Sequence, residues 1–113
     1  MMKFEKQLQA PSFFSLEGMR YLASLHPQHL LVDIPSVDRL FDEGKLRNHH
    51  TFWALAEGSH SLGQAEAPAQ TITEMIYVGD EIPDGIYLLN LQIAPFMADA
   101  APSRPVLYAL NPA

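Results

Sequence analysis

The chain contains no cysteine. That excludes a disulfide framework, a thiolate nucleophile and a thiolate metal site. Positive charge is also missing from much of it: no Lys or Arg stands between Arg47 and Arg104. A nucleic-acid surface needs clustered cations to displace counterions from phosphates, so the C-terminal half would repel that partner. Apolar runs are short, as in Ile86 to Leu89, far below the roughly 20 residues of a membrane-spanning helix. The start, Met1-Met2-Lys3-Phe4-Glu5-Lys6, has no apolar stretch behind its charges and does not read as a secretory signal. No stretch matches a nucleotide, metal, redox or helix-turn-helix signature. The expectation is a cytoplasmic protein with no cofactor, no membrane and no nucleic acid.

What is present is enough for a core. The 113 residues are 48% hydrophobic and 18% charged, a balance that suits one globular domain spanning 1–113. Residues 1–11 read as a mobile arm or short edge strand ending at Pro11. Charge is distributed unevenly. Residues 1–47 carry equal numbers of basic and acidic side chains, whereas 48–113 carry Arg104 against seven acids and so hold the whole net charge of −6. Such a surface is either simply solvated or attractive to a basic protein patch or a cation.

Helix signals come first. Ser12 to His26 reads as a helix capped by Ser12, with Leu16, Met19 and Ala23 on one face, and Pro27 stops it. His29 to Ile34 reads as a short strand. Ser36 is placed to cap a second helix whose buried face holds Val37, Leu40 and Phe41, with Gly44 at its C-terminal end.

Strand signals follow. Thr51 to Glu57, Thr71 to Val78, Ile86 to Ala94 and Val106 to Leu110 are the candidates. In the third, Tyr87, Leu89, Leu91 and Ile93 alternate with Asn90 and Gln92. Pro105 and Pro112 bracket the fourth and mark it as an edge. Pro83-Asp84-Gly85 has turn chemistry and is expected to close a hairpin between the second and third strands. Loops are expected at 58–70 and 95–105. Helices before strands, without βαβ alternation, predict an α+β fold: an antiparallel sheet of about four strands with two short N-terminal helices packed on one face.

The candidate chemistry divides between two readings. In the first, the chain is a non-catalytic accessory protein (an adaptor, inhibitor or assembly factor) working by protein–protein contact. Phe52 and Trp53 would point to opposite faces of their strand, so helices on one face could not cover both. Together with Tyr87 and Tyr108, and with the acids Asp80, Glu81 and Asp84 crowded at one turn, they would form a surface for a partner. That partner would be a protein with a basic patch or a second copy of the chain. In the second reading, His26, His29, Asp33, His49 and His50, with Asp38 in reach, would form a metal-dependent enzyme site, although none of the pairs shows the i, i+4 spacing of helical metal ligands. A purely structural subunit of a homo-oligomer is a third possibility. Ser59-His60-Ser61 lacks the rigid turn of a serine nucleophile, and the Asp80–Asp84 spacing does not match a helix–loop–helix calcium loop.

Overall fold

The computed structural model describes residues 11–55 and 69–111. The arm expected at 1–11, apart from Pro11, and most of the loop expected at 58–70, with Ser59-His60-Ser61, lie outside the described residues. Among the described residues the elements run α1 (Leu16–Ser24), β1 (His29–Leu31), α2 (Arg47–Phe52), β2 (Thr71–Thr73), β3 (Tyr87–Ile93) and β4 (Ser103–Ala109). The α+β class stands. The four-stranded antiparallel sheet does not: β1 pairs with β2 in parallel, and β3 pairs with β4 antiparallel, giving two separate two-stranded sheets. The chain divides into two compact units, with the boundary between Ile76 and Tyr77.

The first unit holds the buried core. Helix α1 begins at Ser15 rather than Ser12, because the Ser15 hydroxyl accepts the Gly18 amide at 3.0 Å and so satisfies one of the four open donors of the first turn. The amide of Phe14, just before it, donates to the Val37 carbonyl at 3.1 Å. The helix ends at His26, whose φ of 52° is left-handed and whose amide returns to the Ala23 carbonyl. Pro27 cannot continue it. Met19 of α1, Val32 after β1, Val37 and Phe52 of α2 are buried together, with Phe14, Leu22, Leu30, Ile34, Trp53 and Ile72 packed around them.

The parallel partner of β1 is the feature least expected from the sequence. Leu30 lies opposite Ile72, and Val32 donates to Thr73 at 2.9 Å while Ile76 donates back to Val32 at 3.1 Å. A parallel pair needs a long crossover, and the chain supplies one that contains α2.

The helix expected from Ser36 is absent, because tertiary partners take the backbone groups it would need. The Val37 amide donates to Glu74 at 2.9 Å, and the Val37 carbonyl accepts from both Phe14 and Asn48. The Ser36 hydroxyl accepts the Asp38 amide instead of capping a turn of helix. Val37 is buried as expected, but Leu40 and Phe41 are exposed. Gly44 does adopt positive φ, 72°.

The second correction concerns Thr51 to Glu57. Thr51 and Phe52 are helical, and Trp53 is the C-cap of α2. Phe52 is 2% exposed and belongs to the core, and Trp53 is half-buried against it. Their rings meet edge to face at 6.5 Å. The two-faced strand is therefore overturned, and with it the steric reason for needing a partner at these two residues.

The second unit is a β-hairpin. The alternation read in 87–93 holds as far as Gln92, since Tyr87, Leu89 and Leu91 are half-buried and Leu88, Asn90 and Gln92 exposed, but Ile93, expected to side with the first three, is exposed. The hairpin is not closed by Pro83-Asp84-Gly85. That stretch forms a local turn, with Ile82 donating to the Gly79 carbonyl and the Tyr87 hydroxyl to the Pro83 carbonyl. Its expected first strand stops at Thr73 and pairs with β1 instead. The strands actually joined are β3 and β4, through the proline-rich segment read as a loop.

Candidate functional site

Two arrangements bear on function: a buried charge network in the first unit and an exposed apolar hairpin in the second.

The network begins at a helix with no cap of its own. Leu46 precedes α2 with φ 48° and supplies no side-chain acceptor. Asp38 does so from a distance. Its Oδ1 accepts the Asn48 amide at 2.8 Å and its Oδ2 the His49 amide at 3.2 Å, the two amides an N-cap side chain would normally serve. A carboxylate at this end also opposes the helix dipole. Asn48 then locks the segment by donating through Nδ2 to the carbonyls of Phe14 and Val37, each at 2.7 Å.

His49 is gripped on both sides. Its Nδ1 lies 2.6 Å from Asp38 Oδ2 and its Nε2 lies 3.1 Å from Glu74 Oε1. With a carboxylate at each nitrogen, only the imidazolium can donate to both. Burial opposes that charge, but the hydrogen bonds to Glu74 and Asp38 and their negative charges outweigh it, and the His49 pKa is raised above the ordinary value of 6.5. Glu74 moves the other way. Burial would raise it, yet hydrogen bonds from His49 and the Val37 backbone lower its pKa. One turn along α2 the Trp53 ring lies 5.7 Å from the imidazole, within reach of a cation–π contact. Trp53 also donates through Nε1 to the Gln70 carbonyl at 2.7 Å. Asp38, His49 and Glu74 thus tie the loop before α2, α2 itself and the end of β2 together. Chemically this arrangement stores a proton and holds three segments in register, with neither ring nitrogen left open as a base.

The other histidines read from the sequence are placed separately. His26 forms the left-handed end of α1, and His29 Nδ1 lies 2.7 Å from the Thr71 hydroxyl across the parallel pair. His50 is buried on α2, while Asp33 is exposed. Among the described residues no three His, Asp or Glu side chains form a group able to hold a metal ion. Glu74 and Asn48 were not singled out from the sequence. The only signal for Glu74 is a lone acid inside an otherwise apolar, β-branched run.

An open cleft of about 500 Å³ is lined by Leu16, Arg20, Lys45, Arg47, His50, Thr51 and Leu55.

The hairpin unit presents a different chemistry. Among the described residues, every member of the buried hydrophobic core lies before Tyr77. In the hairpin unit Ile86, Leu88, Ile93, Phe96, Leu107, Tyr108 and Leu110 are all exposed, Ile86 by 84% and Tyr108 by 52%. Asp80, Glu81 and Asp84 are exposed at the turn before β3. Among the described residues no helix is long and apolar enough to cross a membrane. No family model matches this chain, and neither a curated protein nor a solved structure matches it.

Proposed function

We propose that this chain is a non-catalytic accessory protein that works by protein–protein contact, and that the contact surface is its C-terminal hairpin unit. One observation carries the reading: among the described residues, the two-stranded sheet leaves Leu88, Ile93, Leu107 and Tyr108 exposed. A lone two-stranded hairpin is marginally stable in water, and a third strand or another covering element is what normally secures it. Leu88 and Tyr108 are exposed side by side on one face of the hairpin, and exposed apolar surface of this kind marks an interaction site. The acids at 80, 81 and 84 precede β3, so the partner is either a polypeptide carrying basic groups, whose approach they would steer, or a second copy of the chain that meets the strands away from them. Of the two hairpin tyrosines, Tyr108 is exposed beside Leu88, whereas Tyr87 is half-buried on the opposite face.

The test is site-specific photocrosslinking in living cells. A photoreactive side chain at Leu107 should join the chain covalently to one polypeptide of defined mass, and the same group at Asp33, exposed in the first unit, should not. Equal yields at the two positions, or none at Leu107, would overturn the reading.

A further inference from the structure

We propose that β3 pairs edge to edge with β3 of a second copy of this chain, a step that rests on the hairpin being a docking surface and names what docks there. The phase of the existing ladder is the starting point. Ala94 donates to the Pro102 carbonyl at 3.1 Å, and these two residues continue the register in which Ile93 faces Ser103. They form a hydrogen-bonded pair, and such pairs alternate with non-bonded ones along an antiparallel ladder. Asn90 opposite Val106 is therefore a bonded pair, and Leu91 opposite Pro105 a non-bonded one.

Two consequences follow for the edges. Pro105 turns its nitrogen away from β3, so the ladder loses nothing, but the outer edge of β4 lacks a donor at its centre. Tyr87, Leu89, Leu91 and Ile93 aim their backbone groups away from β4. Among the described residues none of these outward groups has a backbone hydrogen bond. The strand reads Tyr-Leu-Leu-Asn-Leu-Gln-Ile, without a charge or a proline. Those are the devices that normally protect an edge from pairing. One edge of the hairpin is closed and the other is a seven-residue template.

The template fits its own copy. A two-fold axis through Asn90 sets Tyr87 against the partner's Ile93 and Leu89 against the partner's Leu91. All four outward residues of each strand then fall in bonded pairs, on the order of eight new hydrogen bonds. Each of the pairs on that face joins two apolar side chains. On the opposite face Leu88 meets Gln92, and the two Asn90 side chains meet on the axis in a non-bonded pair, where side chains stand closest. Asp80, Glu81 and Asp84 precede the paired strand and are not forced against their copies. The product is a continuous four-stranded antiparallel sheet shared by two chains, an isologous contact.

Sedimentation equilibrium of the full chain tests this. The wild type is expected to form a reversible dimer. Asn90→Asp and Asn90→Lys each put like charges on the axis and are expected to be monomeric, while their equimolar mixture dimerises again. Leu89→Pro removes an outward donor that β4 does not use, and is expected to weaken dimerisation by at least about tenfold. Cross-strand Cα proton contacts between Leu91 and Pro105 show in each variant that the hairpin persists. A wild type that stays monomeric at its highest soluble concentration, or a charge-swapped mixture that stays monomeric, would overturn the proposal. Should crosslinking at Leu107 still capture a different protein, the interaction reading survives without self-pairing. Should it capture nothing, the reading of a separate partner at β4 fails, and sedimentation alone decides self-pairing at the β3 edge.

Discussion

Asp38 and His49 meet twice: the Asp38 carboxylate accepts the His49 backbone amide at 3.2 Å and faces its ring Nδ1 at 2.6 Å. One side chain thus caps α2 and fixes the imidazole that reaches Glu74. Because Asp38 is 6% exposed, little water is available to replace it. Asp38→Ala is expected to cost about 3 kcal/mol, the scale for breaking a buried pair and stranding its partner. Urea unfolding followed by Trp53 fluorescence reads this loss. A cost below about 1 kcal/mol, the scale of an exposed pair, would show that the network does not hold the unit together.

The same network sets a pH dependence. The folded pKa of His49 is raised, so its contribution is complete below the unfolded value of 6.5 and disappears as pH rises through the folded value. The folded pKa of Glu74 is lowered, so its contribution is present above the unfolded value of 4.5 and is lost as pH falls through the folded one. Stability of the first unit should therefore peak between these limits and decline on the alkaline side of 6.5. His49→Gln should flatten that alkaline decline. Denaturation midpoints across the range check it, and a wild-type profile that rises above pH 6.5 would contradict the sign.

Helix ends in this protein use residues that resist the required backbone. Ala54, with φ 51°, follows α2, and the next amide, Leu55, returns to the His50 carbonyl while Ala54 returns to Thr51. This is the Schellman pattern with alanine where glycine is favoured. His26 ends α1 with φ 52°. Ala54→Gly and His26→Gly should each stabilise by about 1 kcal/mol, because glycine reaches this region without the Cβ penalty. Thermal unfolding of each variant decides it; a lowered midpoint would show that the alanine or imidazole side chain contributes more than its strain costs.

Phe52 and Leu107 offer a contrast between core and surface. Phe52 is almost fully enclosed, while Leu107 is 43% exposed. Phe52→Ala should cost roughly 3–5 kcal/mol. Leu107→Ser should leave the urea midpoint seen by Trp53 within about 0.5 kcal/mol of wild type. Equal losses would mean that the second unit's strand supports the first unit's core.

The reach of the sequence varied with how local each structure is. Strand β3 was legible because its period-two alternation depends on the strand alone. So was the left-handed Gly44. The strand expected from Thr51 fails for a definite reason: Thr, Phe and Trp favour strands, but Thr51 and Phe52 are the last residues of a helix that is capped by Asp38, a residue ten positions before Asn48, while Ala56 and Glu57 lie outside the described residues. No pattern within the segment carries that information. Likewise Val37, Leu40 and Phe41 have helical spacing, yet Glu74, Phe14 and Asn48 take the backbone of Val37. The Pro-Asp-Gly turn formed, but turn chemistry says only that the chain bends, not which strands pair. Of the candidate site, Asp80, Glu81, Asp84, Tyr87 and Tyr108 lie on the hairpin unit, while Phe52 and Trp53 belong to the core.

Amide hydrogen exchange on the dilute 113-residue chain is the most direct measurement. If the hairpin depends on cover from another polypeptide, the inward amides of Asn90, Gln92, Val106 and Tyr108 should exchange far faster than those of Val32, His50 and Trp53 in the first unit. Hairpin amides that exchange as slowly as the first unit's core would contradict the account, since the two strands would then be secure on their own.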